Sequence, residues 1–195
     1  MASAAPDVTE NNQPTSKVNK RIALLIGILA LLLAFSEIGG KNAEQDALAR
    51  NIEASNLWAF FQAKTIRMTA VTTAAEDMTI TRNLVADEAA KAAMTRQIET
   101  WQGRAARWDN EPETNEGRRQ LSSRAQAAEK KRDVAYKRYH DFEISSAAFQ
   151  IAIVLASAAV VTGAMALAWL SGGLGLVGIA FSAIGLFKPG LIHLF

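Results

Sequence analysis

The sequence predicts an all-α integral membrane protein: one N-terminal transmembrane helix, a C-terminal transmembrane hairpin, and an extramembrane helical or coiled-coil bundle between them. Three observations carry that prediction. Residues 22–38 and 147–187 hold almost no charge, whereas residues 41–146 hold nearly all of it. No proline interrupts residues 41–108, and apolar side chains recur there at three- and four-residue steps, the helix period. The apolar stretches lack the alternation of barrel strands, and in lipid every backbone polar group must be paired internally, so helices are expected.

Taken in order, residues 1–21 form a polar tail containing Pro6 and Pro14, too poor in apolar surface to order itself. Lys17, Lys20 and Arg21 precede an apolar run from Ile22 to Phe35. Extended to Ile38, the first transmembrane helix (22–38) has roughly 17 residues, the lower limit for crossing about 30 Å of hydrocarbon. Glu37 must then lie at an interface. A cleaved signal peptide is the competing reading, with a basic start and a small-x-small site at Ala34-Phe35-Ser36. Against it, the apolar run is long for such a segment and the helical pattern continues past Ser36.

The extramembrane domain (41–146) opens with two apolar stripes on neighbouring helix faces. One comprises Leu48, Ile52, Ala59, Ala63, Ile66, Ala70 and Thr73, the other Leu57, Phe61, Met68, Val71, Ala75 and Met78. A further run follows at Ala90, Met94, Ile98, Trp101, Ala105 and Trp108. Residues 109–117, with Pro112 and Gly117 among turn formers, break the chain. Beyond them Leu121, Ala125, Ala128, Arg132, Ala135, Tyr139 and Phe142 form a heptad seam interrupted only by Arg132. At 1.5 Å per residue, 41–108 as one helix would reach roughly 100 Å, while 118–146 covers only about 45 Å. A fold-back near residues 78–86 is expected, or else a coiled-coil stalk completed by oligomerisation.

Residues 147–170 and 174–192 are the second and third transmembrane helices, separated by Ser171-Gly172-Gly173. So short a connection makes them antiparallel neighbours. Small residues at Ala152, Ala156, Ala159, Gly163, Gly178 and Ser182 are candidates for close helix packing. Charges near the first helix favour a cytoplasmic N-terminus and a periplasmic 41–146, while Lys130, Lys131, Arg132, Lys137 and Arg138 argue the other way. The first helix usually dominates, so the N-in arrangement in a bacterial inner membrane is chosen.

Little catalytic chemistry is on offer. The 195-residue chain has a net charge of +2 and no cysteine, which excludes disulfides and thiolate sites and implies no nucleic-acid partner. Its histidines, His140 and His193, cannot supply a zinc site. The carboxylate pairs Glu76-Asp77 and Asp87-Glu88 do not face each other on a helix and read as solvated surface. Glu37 and Lys188 are the only ionisable groups that come close to lying inside the spans, and there interfacial anchoring is preferred to conduction. The aromatic group Trp58, Phe60, Phe61, Trp101, Trp108, Tyr136 and Tyr139 is a candidate interaction or packing surface, with packing preferred. No cofactor, metal or catalytic residue is expected, and the chain is read as no enzyme.

Three blocks carry a family resemblance: Asn51–Arg67 (Asn-Ile-Glu-Ala-Ser-Asn-Leu-Trp-Ala-Phe-Phe), Asp109–Arg118, and Gln150–Ser157 running into Gly173–Gly178. In that order and spacing the chain resembles the domain-of-unknown-function 4337 family of bacterial multi-pass membrane proteins. The resemblance covers the chain beyond its polar tail and implies the same layout, with the first helix retained. It implies no activity, cofactor or site residue.

The expected function is a structural or protein-interaction role through the helical domain. The bilayer is the expected surrounding, and a second copy or another membrane protein the expected partner. A sensor-like regulatory module and an accessory subunit of a transporter or channel are the alternatives.

Overall fold

The computed structural model describes residues 14–191, with side chains from residue 17. Among the described residues there are four helices: α1 (Pro14–Leu84), α2 (Glu88–Asp109), α3 (Arg118–Thr162) and α4 (Met165–Phe187). There is no strand among the described residues. Three helices, Lys17–Leu84, Arg118–Thr162 and Met165–Phe187, are long and apolar enough to cross a membrane. The chain divides into two compact units, Met1–Glu44 with Ala135–Phe195, and Gln45–Val134.

The apolar unit packs the first part of α1 against the second part of α3 and against α4. Ile22 of α1 meets Ala156 and Ala159 of α3 and Leu167 of α4, so the N-terminal end of α1 lies beside the α3–α4 turn. Further along, Leu29 packs on Phe149, Ala152 and Leu174. Ser36 then donates a hydrogen bond to the Phe142 carbonyl at 3.0 Å. Close approach depends on glycine. A Cβ on Gly178 would lie 2.6 Å from the Phe149 ring, and one on Gly39 2.7 Å from the Phe142 ring.

Hydroxyls complete this unit. Ser145 donates to the Gly178 carbonyl at 2.7 Å. Its oxygen also lies 2.6 Å from that of Ser182, which must then be the donor between them. Ser171 donates to the Ala152 carbonyl at 2.7 Å. Ser36, Ser145 and Ser171 are all buried, and each reaches a carbonyl of another helix. In an apolar setting such bonds add modest stability, about 0.6 kcal/mol each on average.

The hairpin turn differs from expectation. It falls at Gly163-Ala164, where Gly163 adopts φ 71° and its N–H reaches the Ala159 carbonyl at 2.9 Å. Ser171-Gly172-Gly173 lies inside α4, where Ser171 is the residue buried against α3. The spans expected at 147–170 and 174–192 therefore become the end of α3 and Met165–Phe187, and Ile192 lies outside the described residues. Residues 14–21, expected in the polar tail, belong to α1; residues 1–13 lie outside the described residues.

The charged unit holds the second part of α1, α2 and the first part of α3. α1 ends at Leu84, inside the interval where a fold-back is expected, and α2 runs back along it. Arg82 reaches Thr95 near the bend, and Lys64 reaches Glu111 at the far end. The bend is fixed by Asp87, whose carboxylate accepts from the N–H groups of Ala89 and Ala90 and caps α2. Asp87 is thus a capping group rather than plain solvated surface. The core comprises Ala54, Leu57, Leu121, Ala125 and Ala128, with Trp58 and Phe61 packed against it. The α2 run Ala90, Met94, Ile98, Trp101, Ala105 and Trp108 forms its buried and half-buried face.

Candidate interaction surface

Within the charged unit α1 carries two apolar seams with the same 3-4 spacing. The inner one runs through Ala47, Ala54, Leu57, Phe61, Lys64, Met68, Val71, Ala75 and Met78, all buried or half-buried. The outer one runs through Ala49, Ile52, Asn56, Ala59, Ala63, Ile66, Ala70 and Thr73, and every one of these residues is exposed. Ile52 is 52% exposed and Ile66 69%. Of the two stripes anticipated on this helix, the one at Leu57, Phe61 and Met68 is covered by the unit itself. The one at Leu48, Ile52 and Ile66 is not. Single exposed apolar residues are ordinary, whereas here the exposed positions follow one another along a single helix face.

The aromatic residues separate into distinct environments. Trp58 packs edge-to-face on Phe61 with centroids 5.4 Å apart, and its indole N–H donates to Glu129 at 2.9 Å. Arg118 lies over the Phe61 ring, and the Lys64 ammonium lies 5.4 Å from the Phe60 centroid. Trp101 and Trp108 are half-buried on α2. Tyr136 and Tyr139 belong to the apolar unit, where Tyr136 is exposed and Tyr139 is half-buried beside the His140 ring. Phe60 alone among those of the charged unit is exposed, and it borders the outer seam.

The α2–α3 loop is fastened by charge. Asp109 accepts from Arg118 at 3.1 Å and from Arg119 at 2.8 Å. Glu111 accepts from Arg107 at 2.7 Å and from Lys64, itself buried, at 3.2 Å. Hydrogen bonds from Arg107 and then Lys64 hold the Glu111 carboxyl below the usual carboxylate range. Asn115 takes the left-handed conformation at φ 57° that the reversal requires.

In the apolar unit a groove of about 500 Å³ is bordered by Glu37, Lys41, Glu44, Tyr139, Glu143 and Gln150. Gln150 approaches Glu37 at 3.4 Å there, and Glu143 and burial together raise the Tyr139 hydroxyl pKa. Lys188 is exposed and ends α4. His140 is exposed and faces Glu143 at 3.3 Å; His193 lies outside the described residues. Among the described residues no three His, Cys, Asp or Glu side chains gather as a metal site. Of the small residues, Ala152, Ala156, Ala159 and Gly178 are buried between helices, and Ser182 bonds Ser145. Gly163 instead closes the turn, with open space around it.

The family model described as "Domain of unknown function (DUF4337)" matches residues 18–188. The chain belongs to this family. No curated protein and no solved structure matches it. The family match spans both units and all four helices, including the outer seam of α1.

Proposed function

We propose that this family member is a non-enzymatic structural or protein-interaction component of the bacterial inner membrane. Three transmembrane helices hold it there, and the helical unit between them engages a protein partner. The outer seam of α1 carries this reading, because it is a row of exposed apolar and small residues in a unit otherwise rich in charge. The three helices long and apolar enough to cross a bilayer support the location. Lys17, Lys20 and Arg21, directly before the apolar part of α1, support a cytoplasmic N-terminus with residues 41–146 in the periplasm.

Chemical crosslinking in intact membranes followed by native mass spectrometry tests the role. A reproducible complex containing this chain is the expected outcome, and a lone monomer under every condition contradicts it. A reporter fused after residue 110 tests the orientation. Activity from a reporter that works only in the periplasm is expected; activity from one that works only in the cytoplasm reverses the assignment.

A further inference from the structure

The outer seam has the form of a surface made to meet itself. We infer that residues 49–73 of α1 pair with the same residues of a second copy, as a parallel, in-register, two-stranded coiled coil. This rests on the interaction role proposed above and names its partner.

Length comes first. From Ala49 to Thr73 the seam keeps its 3-4 spacing for about 25 residues, within the three to four heptads that mark a coiled coil. Reading Ala49, Asn56, Ala63 and Ala70 as one set of core positions leaves Ile52, Ala59, Ile66 and Thr73 as the other. The alanines allow close approach, and the two isoleucines supply knobs for the facing holes.

Self-complementarity comes second. In a parallel, in-register pair every core residue faces its own copy. Asn56 would face Asn56, and an amide can both donate and accept, so the two side chains satisfy each other across the symmetry axis. One such polar core residue fixes register and strand number at some cost in stability.

Charge is third. Across a parallel pair, the residue just before one core position meets the residue five further along the partner. Those pairings are Leu48 with Glu53, Ser55 with Phe60, Gln62 with Arg67, and Thr69 with Ala74, and none joins like charges. Asp77, next in the row, would face its own copy, so the seam ends before it. In an antiparallel pair of the same seam Asn56 would face Ile66 and its amide would lose its partner, which disfavours that alternative.

The absence of native cysteine makes the test direct. Ile52→Cys, Ala59→Cys and Ile66→Cys, made singly in the full chain and oxidised mildly in membranes, are each expected to give a disulfide-linked homodimer. Thr100→Cys, exposed on α2, serves as the collision control and is expected to give about tenfold less. Adding Ile66→Glu to Ala59→Cys should lower its homodimer about tenfold while helicity by circular dichroism stays unchanged. Homodimer at only one of the three seam positions overturns the parallel, in-register arrangement. So does equal yield at Thr100, or indifference to Ile66→Glu. An adduct with a different protein in place of the homodimer overturns self-pairing and leaves the interaction role standing. No adduct of any kind at the seam overturns self-pairing, and the interaction role is then decided by the membrane crosslinking and native mass spectrometry described above.

Discussion

The apolar and charged units are each built from a part of α1, a part of α3 and one further helix, yet they hold their helices together by different chemistry. The apolar unit brings backbones close through Gly39, Gly175 and Gly178 and ties them with serine hydroxyls aimed at carbonyls. The charged unit relies on an alanine-rich seam centred on Leu121 and on ion pairs that fasten the α2–α3 loop. The difference follows from the solvent each sequence suits. An apolar surrounding gives apolar side chains no reason to associate, so close packing and internal hydrogen bonds must do it. Water drives Leu57 and Leu121 together and leaves charge to the rim.

The largest effect is expected at Leu121, which is fully buried. Leu121→Ala should destabilise the charged unit by about 2–5 kcal/mol. Hydrogen exchange on the full chain should show the loss in residues 45–134 rather than in the apolar unit. Gly178→Ala is the counterpart in the apolar unit, because its methyl would meet the Phe149 ring. A loss of about 1–3 kcal/mol in a thermal unfolding assay is expected. Gly172→Ala, on the same helix in open space, should be neutral or gain up to about 1 kcal/mol. Equal losses for the two would show that glycine in α4 matters for something other than close approach. Ser145→Ala should lose only about 0.6–1.7 kcal/mol, since each such bond is modest in an apolar setting.

The loop is expected to respond to pH. The carboxyl of Glu111 titrates below its unfolded value, so its contribution is present above that value and is lost as pH falls through the lowered one. Exchange protection of residues 110–117 should therefore fall as pH drops below the usual carboxylate range. Glu111→Gln should remove that pH dependence. Protection that falls identically in the variant would place the acid sensitivity elsewhere.

Much of this organisation was legible in the amino-acid pattern. The three apolar stretches, the break at 109–117 and the α3 seam through Leu121, Ala125 and Ala128 all follow from charge segregation and helix period. Two features did not. Ser171-Gly172-Gly173 reads as a break because glycine is a poor helix former in water, yet here it stays helical. The actual turn uses Gly163, where a positive φ is needed. The covered stripe of α1 was equally hard to choose. Both stripes share one period, and the covered one is disguised by the buried Lys64, which reads as solvated until Glu111 is seen beside it. Asn56, polar and exposed, could not announce a place in an apolar row until the opposite face was known to be occupied.

Apolar residues equally exposed in the two units are expected to face different surroundings. Phe35 and Ile80 are both 64% exposed, and Leu31 and Leu48 are 59% and 57% exposed. Single cysteines at these four positions, probed with a membrane-impermeant maleimide in vesicles of both orientations, test the claim directly. Leu48→Cys and Ile80→Cys should be labelled from one side only, while Leu31→Cys and Phe35→Cys should be labelled from neither. Labelling of Leu31→Cys and Phe35→Cys as fast as Ile80→Cys would contradict it.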